Sequence, residues 1–183
     1  MNKQTIIDLL NCEYISFIDY IKELTDDEYS FSKNDKWTAG QQLEHIILCT
    51  KPLVQIYSLD KLMIEQYFGQ ANKVGRDYNS LLMEYKVKLK EGGKASEQYI
   101  PKNGMLNRKE TLIDKLTKLI NDFSSKIKAF NEQELDSLLI PHPLFGKLTL
   151  REMLYNTIYH VEHHKEQVKQ NLKSMNNNLN KSK

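Results

Sequence analysis

A chain of 183 residues is long enough to bury one well-formed core and too short to argue for two domains. Its charge of +2 comes from 26 basic and 24 acidic residues spread along the chain, which excludes the concentrated basic face expected of a nucleic-acid-binding protein. No apolar run is long enough to span a bilayer, and 7 Gly and 4 Pro favour helices over a turn-rich β architecture.

The first half of the chain predicts two long helices. The first runs from about Lys3 to Leu24, with apolar residues spaced by threes and fours, and the following TDDEYSFSKNDKW breaks this pattern with turn formers. A second helix begins after Thr38, where Thr38 and Gln41 form a capping box. It continues to about Leu59, with Pro52 either bending it or ending its first half.

The middle of the chain carries weaker signals. A third helix is predicted over Tyr78 to Lys90, and the segment EGGKASEQYIPKNGM after it is predicted to be a loop. A fourth helix begins near the cap signature Asn107 to Glu110 and carries an apolar stripe as far as Ile127. The prolines and glycine of IPHPLFGK then predict another loop.

The last helix begins at a third capping box, formed by Thr149 and Glu152, and reaches at least Leu172. The Asn-rich end, residues 173–183, predicts a polar, disordered tail, so we expect the domain to span residues 1–172. Several long amphipathic helices without a convincing strand pattern predict an all-α protein, most economically a bundle of four main helices.

Three of the five histidines lie within the segment YHVEHHKEQ, where spacing alone pairs His160 equally well with His163 and with His164. At about 100° per residue, His164 falls inside the apolar stripe of the last helix and His160 lies at its edge. His163 lies on nearly the opposite face. We therefore expect His160 and His164 to point toward the core and His163 to point toward water.

Two inward histidines at positions i and i+4 fit two interpretations equally well. They are either metal ligands or a pair of core residues satisfied by hydrogen bonds. Protonation of both rings would place like charges about 6 Å apart, whereas a divalent cation takes one lone pair from each neutral ring. His45, at the border of an apolar arc of the second helix, is the candidate third ligand. Three imidazoles with an open position suit Zn²⁺ or Ni²⁺, and Mn or Fe is a further option.

Other polar residues near these histidines have different interpretations. Cys49, four residues after His45, can share its face and is interpreted as a buried structural cysteine. His142 is interpreted as a residue that positions its loop. Two glutamines are candidate hydrogen-bond partners of the ligands: Gln41 and Gln167. The sequence has no P-loop, nucleophile elbow, Cys-x-x-Cys pair or His-Glu-x-x-His motif, so it predicts no protein nucleophile.

The segments KWTAGQQLEHI and HPLFGKLTLREMLYNTIYHVEHHKEQV resemble the DinB-like family of four-helix-bundle metalloproteins. The resemblance extends from the first helix to about Gln170. It implies a four-helix bundle with a long crossover connection, a homodimer, and a divalent metal ion bound by His45, His160 and His164. The family name refers to induction by DNA damage, which concerns expression and implies no DNA binding.

The resemblance also indicates a function. Members of the family include thiol S-transferases that use thiols such as bacillithiol, and a mycothiol-dependent isomerase, so we expect an enzyme that transfers a low-molecular-weight thiol to an electrophilic small-molecule substrate. Two alternatives are a metal-dependent hydrolase and a non-enzymatic stress protein that binds a metal or small ligand. The two cysteines in apolar surroundings and the lack of a signal peptide predict a reduced, cytoplasmic protein without nucleic-acid or membrane partners.

Overall fold

The computed structural model describes residues 1–102 and 108–179. These residues form helices, one short turn of 3₁₀ helix at Glu97–Tyr99 and one hairpin. The helices are α1 (Lys3–Glu23), α2 (Asp26–Ser30), α3 (Ala39–Ile56), α4 (Lys61–Phe68), α5 (Tyr78–Lys90), α6 (Lys109–Lys128), α7 (Glu132–Ser137) and α8 (Leu150–Leu179). The strands of the hairpin are β1 (Leu139–His142) and β2 (Gly146–Thr149).

The four long helices α1, α6, α3 and α8 form a ring in which each packs against the next. Helices α1 and α6 are antiparallel, because Lys109 Nζ at the start of α6 donates to the carbonyl of Leu24 just after α1. Helices α3 and α8 are also antiparallel, because the Tyr57 hydroxyl at the end of α3 donates to the carbonyl of Leu150, which opens α8. The fold is therefore the predicted all-α bundle.

The connection between α3 and α6 is the predicted long crossover. The N-terminal ammonium of Met1 donates to the Tyr155 hydroxyl, so α1 and α8 begin at the same end of the bundle and run parallel. It follows that α3 and α6 also run parallel, and the chain between them must return along the whole bundle. Helices α4 and α5 lie in this connection, and α5 packs against α8.

Capping boxes explain where α3 and α8 begin. The Thr38–Gln41 box opens α3, and the helix continues through Pro52 to Ile56. Thr149 and Glu152 exchange backbone-to-side-chain hydrogen bonds of 2.8 and 3.1 Å at the start of α8. The signature predicted at Asn107 lies outside the described residues.

Three short helices, α2, α4 and α7, lie in segments without a predicted helix. Helix α2 begins at a Thr25–Glu28 capping box inside the segment predicted as a turn, and α7 begins at an Asn131–Glu134 box. The boxes of α2 and α7 follow the same pattern, Thr or Asn followed three residues later by Glu or Gln, that opens α3 and α8. The prediction of a turn over Asp26–Ser30 is therefore wrong.

The segment predicted as a loop around IPHPLFGK is an antiparallel hairpin. Ile140 pairs with Leu148, and both side chains are fully buried. Gly146 has a φ of 76°, a conformation that glycine adopts without steric cost, and it begins the second strand. Burial of this one apolar pair stabilises two strands that are too short for a visible alternating pattern.

Helix α8 extends beyond Leu172, where the sequence predicts that the domain ends, as far as Leu179. Residues 173–179 continue this helix. The reason is that the apolar stripe continues, since Leu172 is buried and Met175 packs against the core. Residues 180–183 of the predicted tail lie outside the described residues. Within the described part of the chain, no helix is both long and apolar enough to cross a membrane.

Candidate metal centre

Three imidazoles converge between α3 and α8. Nε2 of His160 lies 3.2 Å from Nε2 of His45 and 3.0 Å from Nε2 of His164. One ligand atom from each of the three rings lies within 4.8 Å of the other two. The antiparallel pairing of α3 and α8 brings His45 to the level of the i, i+4 pair on α8. The structure thus brings together the three residues predicted as ligands.

The outer nitrogens of two rings are held by hydrogen bonds. Nδ1 of His45 donates to the carbonyl of Tyr99 at a distance of 2.7 Å, because a carbonyl oxygen can only accept. Nδ1 of His164 donates to the side-chain oxygen of Gln42, which is itself buried. With the proton on Nδ1, each neutral ring has an unprotonated Nε2 facing the centre of the cluster.

This donor arrangement fits a divalent first-row cation. Nε2 of a neutral His160 carries at most one hydrogen, so it can donate to only one of the two lone pairs that face it. Metal–nitrogen bonds of about 2.0–2.1 Å at tetrahedral or right angles place ligand nitrogens about 2.9–3.4 Å apart. The observed separations of 3.2 and 3.0 Å lie within this range.

The cluster is electrostatically suited to a cation because its rings are neutral. Burial lowers the pKa of His45, His160 and His164 from the ordinary value of 6.5, and charge on neighbouring imidazoles lowers it further. The hydrogen bond to Tyr99 opposes the shift for His45, without reversing it. At neutral pH all three rings therefore keep the lone pairs that a metal requires.

The single tryptophan of the chain covers one side of the cluster. The Trp37 ring lies 4.9 Å from the ring of His45 and 6.3 Å, nearly parallel, from that of His164. Trp37 directly precedes the capping residue Thr38, so the start of α3 places both the ring and His45 at the same site. This position makes Trp37 a natural fluorescent reporter of the cluster.

His163 is not part of the group, but the expectation that it points to water is only partly correct. Its side chain is half-buried and lines the cavity beside the cluster, and burial lowers its pKa. Helix α8 packs against α1 and α3 and also against α5 and the hairpin, so little of its surface faces solvent. A helical wheel that assumes a single buried face therefore does not predict that His163 is half-buried.

The two predicted glutamine partners are in different places. The Gln41 side chain accepts from the backbone N–H of Thr38 in the capping box, at 2.9 Å, and does not contact the imidazoles. The side-chain nitrogen of Gln167 lies 3.4 Å from Nε2 of His163, which is not one of the three predicted ligands. Gln42 is the residue that sequence reasoning missed. The capping box could have indicated this, because a Gln41 side chain that is bound in the box cannot also accept a hydrogen bond from a histidine.

A cavity of about 450 Å³ lies against the cluster, and its walls come from α3, α8, α5, the segment after α5 and the hairpin. Cys49 lines it, with Sγ 3.6 Å from Nε2 of His45. Burial raises the pKa of this thiol to about 12, so it is protonated at neutral pH. His142 also lines the cavity, and its Nδ1 accepts from the backbone N–H of Leu144 at 3.1 Å, as expected of a residue that positions its loop.

The fold and the cluster together define a helical-bundle protein with a buried three-histidine site that opens on a cavity. The family model described as the DinB superfamily matches residues 16–168. The chain therefore belongs to the DinB superfamily. A search of curated proteins and a search of solved structures gave no match. Family membership and the three-histidine cluster fit a metal-binding protein.

Proposed function

We propose that the protein binds one divalent first-row metal ion, Zn²⁺ or Ni²⁺ in the first place, through Nε2 of His45, His160 and His164. The observation that carries the proposal is the convergence of three Nε2 atoms, two of them in rings whose Nδ1 is already engaged. Hydrogen bonding between the rings cannot satisfy all three nitrogens at once, and a cation can.

We further propose that the protein is an enzyme that transfers a low-molecular-weight thiol to an electrophile. Three protein ligands leave coordination positions open, and the cavity beside the cluster has room for small molecules. A bound divalent ion would lower the pKa of a thiol that reaches it, so that the thiol reacts as thiolate.

The proposed thiol transfer needs no nucleophile from the protein. The thiol R–SH and the electrophile R′–X give R–S–R′ and HX. The new S–C bond forms as the C–X bond breaks, X leaves with the bonding electron pair, and the thiol proton leaves with it or passes to solvent. Cys49 is not needed, in agreement with its raised pKa of about 12.

The residues of the chain orient the reactants. Tyr99 and Gln42 hold the rings of His45 and His164 in one orientation. Trp37 covers one face of the cluster and limits access from that side. Apolar side chains on the walls of the cavity exclude water that would compete with a thiol.

Metal analysis of the purified protein and its variants tests the proposal. We expect close to one first-row ion per chain in the wild type and in the control variant His163→Ala, and a large loss in His164→Ala. Unchanged metal content in His164→Ala would refute the site.

A cobalt-substituted protein tests the open coordination and the thiol. Added low-molecular-weight thiols should perturb its visible spectrum, because sulfur enters the coordination shell. If every thiol leaves the spectrum unchanged, the transferase proposal fails while a structural metal site survives.

A further inference from the structure

The hydroxyl of Tyr85 is a polar group in the cavity wall that the three-histidine site does not use. Tyr85 lies on α5, is only 6% exposed and lines the cavity. Its ring packs against those of Phe145 and Tyr159, and its hydroxyl has no hydrogen-bond partner among the described residues. The hydroxyl of Tyr29 also lacks a partner there and is fully enclosed, whereas that of Tyr85 keeps accessible surface. Because Tyr85 lines the cavity, a molecule in the cavity can reach its hydroxyl.

The other buried polar side chains of the described cavity wall already make hydrogen bonds. Apart from the imidazoles of the cluster, they are Tyr14, Gln42, Thr50, Asn156 and Thr157. Native proteins rarely leave a buried donor without an acceptor, and such a group calls for a ligand or an ordered water. The Tyr85 hydroxyl is therefore the polar group of this wall that is available to a bound molecule.

Tyr85 lies beside the cluster. Its ring centre is 5.6 Å from that of Tyr159, which directly precedes His160 on α8. On α3, the Cys49 thiol lies 3.6 Å from Nε2 of His45 and is close enough to Tyr85 to raise its pKa. A molecule bound in the cavity next to the cluster therefore lies beside the Tyr85 hydroxyl.

The hydroxyl acts as a hydrogen-bond donor. Burial raises the pKa of Tyr85 above its ordinary value of 10.0, so the phenol stays protonated at neutral pH. Oxygen is its natural partner, because sulfur accepts hydrogen bonds only weakly. The thiol of the proposed reaction therefore does not satisfy Tyr85, whereas an oxygen of the second reactant, the electrophile, does.

The rest of the cavity wall indicates what else the electrophile carries. The charged residues that line the cavity are all exposed: Asp35, Lys36 and Lys94. The apolar lining residues are Pro52, Leu53, Ile56, Leu89, Leu144 and Met153. Leu89 follows Tyr85 by about one turn of α5, so apolar surface directly adjoins the hydroxyl. An oxygen held by Tyr85 therefore belongs to an otherwise apolar molecule.

We propose that the Tyr85 hydroxyl donates a hydrogen bond to a carbonyl-type oxygen of the electrophile, and that the rest of this reactant is apolar. A hydrogen bond to this oxygen withdraws electron density from the neighbouring carbon, which favours attack by a thiolate. The inference rests on the proposed function, because it takes the molecule in the cavity to be the second reactant of the thiol transfer.

Acetophenone and cumene test the donor role of Tyr85 without a thiol. They have the same number of heavy atoms, and cumene has a methyl group in place of the carbonyl oxygen. Their affinities for the zinc-loaded protein are measured by nuclear magnetic resonance titration in the wild type, in Tyr85→Phe and in Tyr29→Phe. Tyr85→Phe removes the hydroxyl and keeps the ring that packs on Phe145 and Tyr159. Tyr29 is the matched control, because its enclosed hydroxyl lies outside the cavity wall.

We expect a change in preference and a change in the bound carbonyl. The affinity ratio of acetophenone to cumene should fall by about threefold or more in Tyr85→Phe, as for one hydrogen bond, and stay within roughly twofold in Tyr29→Phe. In isotope-edited infrared spectra, the carbonyl stretch of bound acetophenone should lie at lower frequency in the wild type than in Tyr85→Phe. An unchanged ratio, an unchanged frequency, or no binding of acetophenone up to its solubility would overturn the inference.

Transfer rates with two electrophiles test whether this oxygen belongs to the reactant that the thiol attacks. Phenacyl chloride carries a carbonyl next to its C–Cl carbon and benzyl chloride does not. Each reacts with a thiol R–SH to give R–S–R′ and HCl. In the zinc-loaded protein, the ratio of their kcat/KM values should fall by about tenfold or more in Tyr85→Phe and stay within roughly twofold in Tyr29→Phe. An unchanged ratio in Tyr85→Phe would overturn the assignment of the oxygen to the electrophile.

The binding measurement separates failure of the inference from failure of the proposed function. If thiols leave the cobalt spectrum unchanged, the proposed function fails, and acetophenone and cumene are compared on the protein as purified. A fall of the affinity ratio in Tyr85→Phe would then still support Tyr85 as a donor to a carbonyl oxygen. No fall would overturn that role and would mean that an ordered water satisfies the hydroxyl.

Discussion

Replacement of Gln42 by Leu tests whether Gln42 orients the ligand His164. The neighbouring Gln41, which caps the helix, provides the comparison. Gln42→Leu removes the oxygen that accepts from Nδ1 of His164 and leaves the size of the side chain nearly unchanged. Gln41→Leu is the matched control at the adjacent position. It removes the side chain that accepts from the backbone of Thr38 and leaves the imidazoles untouched.

The expected changes in metal affinity and in the free energy of unfolding follow from the hydrogen bond that each side chain makes. Loss of a hydrogen bond that orients a metal-bound histidine typically weakens metal affinity by about 10- to 100-fold, or roughly 1.4–2.7 kcal/mol. His164 and Gln42 are 7% and 5% exposed, so water cannot easily replace the lost partner. Gln41→Leu should lower the free energy of unfolding by about 0.5–1.5 kcal/mol, as for an ordinary hydrogen bond, with no change in metal affinity.

Zinc affinity is measured by competition with a chromophoric chelator, with Trp37 fluorescence as a second reporter next to the cluster. Stability is measured by urea unfolding of the metal-free proteins. Zinc binding by Gln42→Leu within twofold of the wild type, or a larger loss of affinity in Gln41→Leu, would show that Gln42 does not orient the ligand His164.

Three further predictions concern residues around the cluster. His163→Ala should change zinc affinity less than threefold, in the same competition assay, because its ring lies outside the group of three. The pKa of His142 is lowered to about 4, so the unfolded chain binds a proton that the folded state excludes. Stability of the metal-free protein should therefore fall as pH drops from about 6.5 to 4, by up to about 3 kcal/mol from this residue, and His142→Asn should weaken that dependence by about one proton. Iodoacetamide at pH 8 should modify the exposed Cys12 well before Cys49. The raised pKa of about 12 leaves only about one Cys49 thiol in 10⁴ as thiolate. Peptide mass spectrometry follows both sites, and modification of Cys49 before Cys12 would contradict the prediction.

The sequence predicts the parts of the fold that depend on local signals. The apolar stripes and the Thr38 and Thr149 caps locate α3 and α8 because both act within a few residues. The same local rule would have found α2 from Thr25 and Glu28, but the surrounding polar residues obscured it. The hairpin is harder to recognise, because only the pairing of Ile140 with Leu148 reveals it, and each strand alone is too short for a pattern.

A helical wheel predicts the direction of a side chain on α8, but not which other elements pack against it. The wheel correctly separates His164 from His163, since their directions differ along a single helix. It cannot show that the crossover and hairpin also cover α8 and half-bury His163. It also cannot show that a backbone carbonyl of Tyr99, 54 residues away, holds His45. That contact depends on how the crossover packs, and backbone acceptors leave no mark in the sequence.

Anomalous diffraction at the zinc edge from crystals of the zinc-loaded protein tests the three-histidine metal site most directly. We expect one strong peak per chain, about 2.0–2.1 Å from Nε2 of His45, His160 and His164, with the cavity on its open side. A peak bound by other residues, or no peak while the three imidazoles stay within hydrogen-bonding distance of one another, would contradict it.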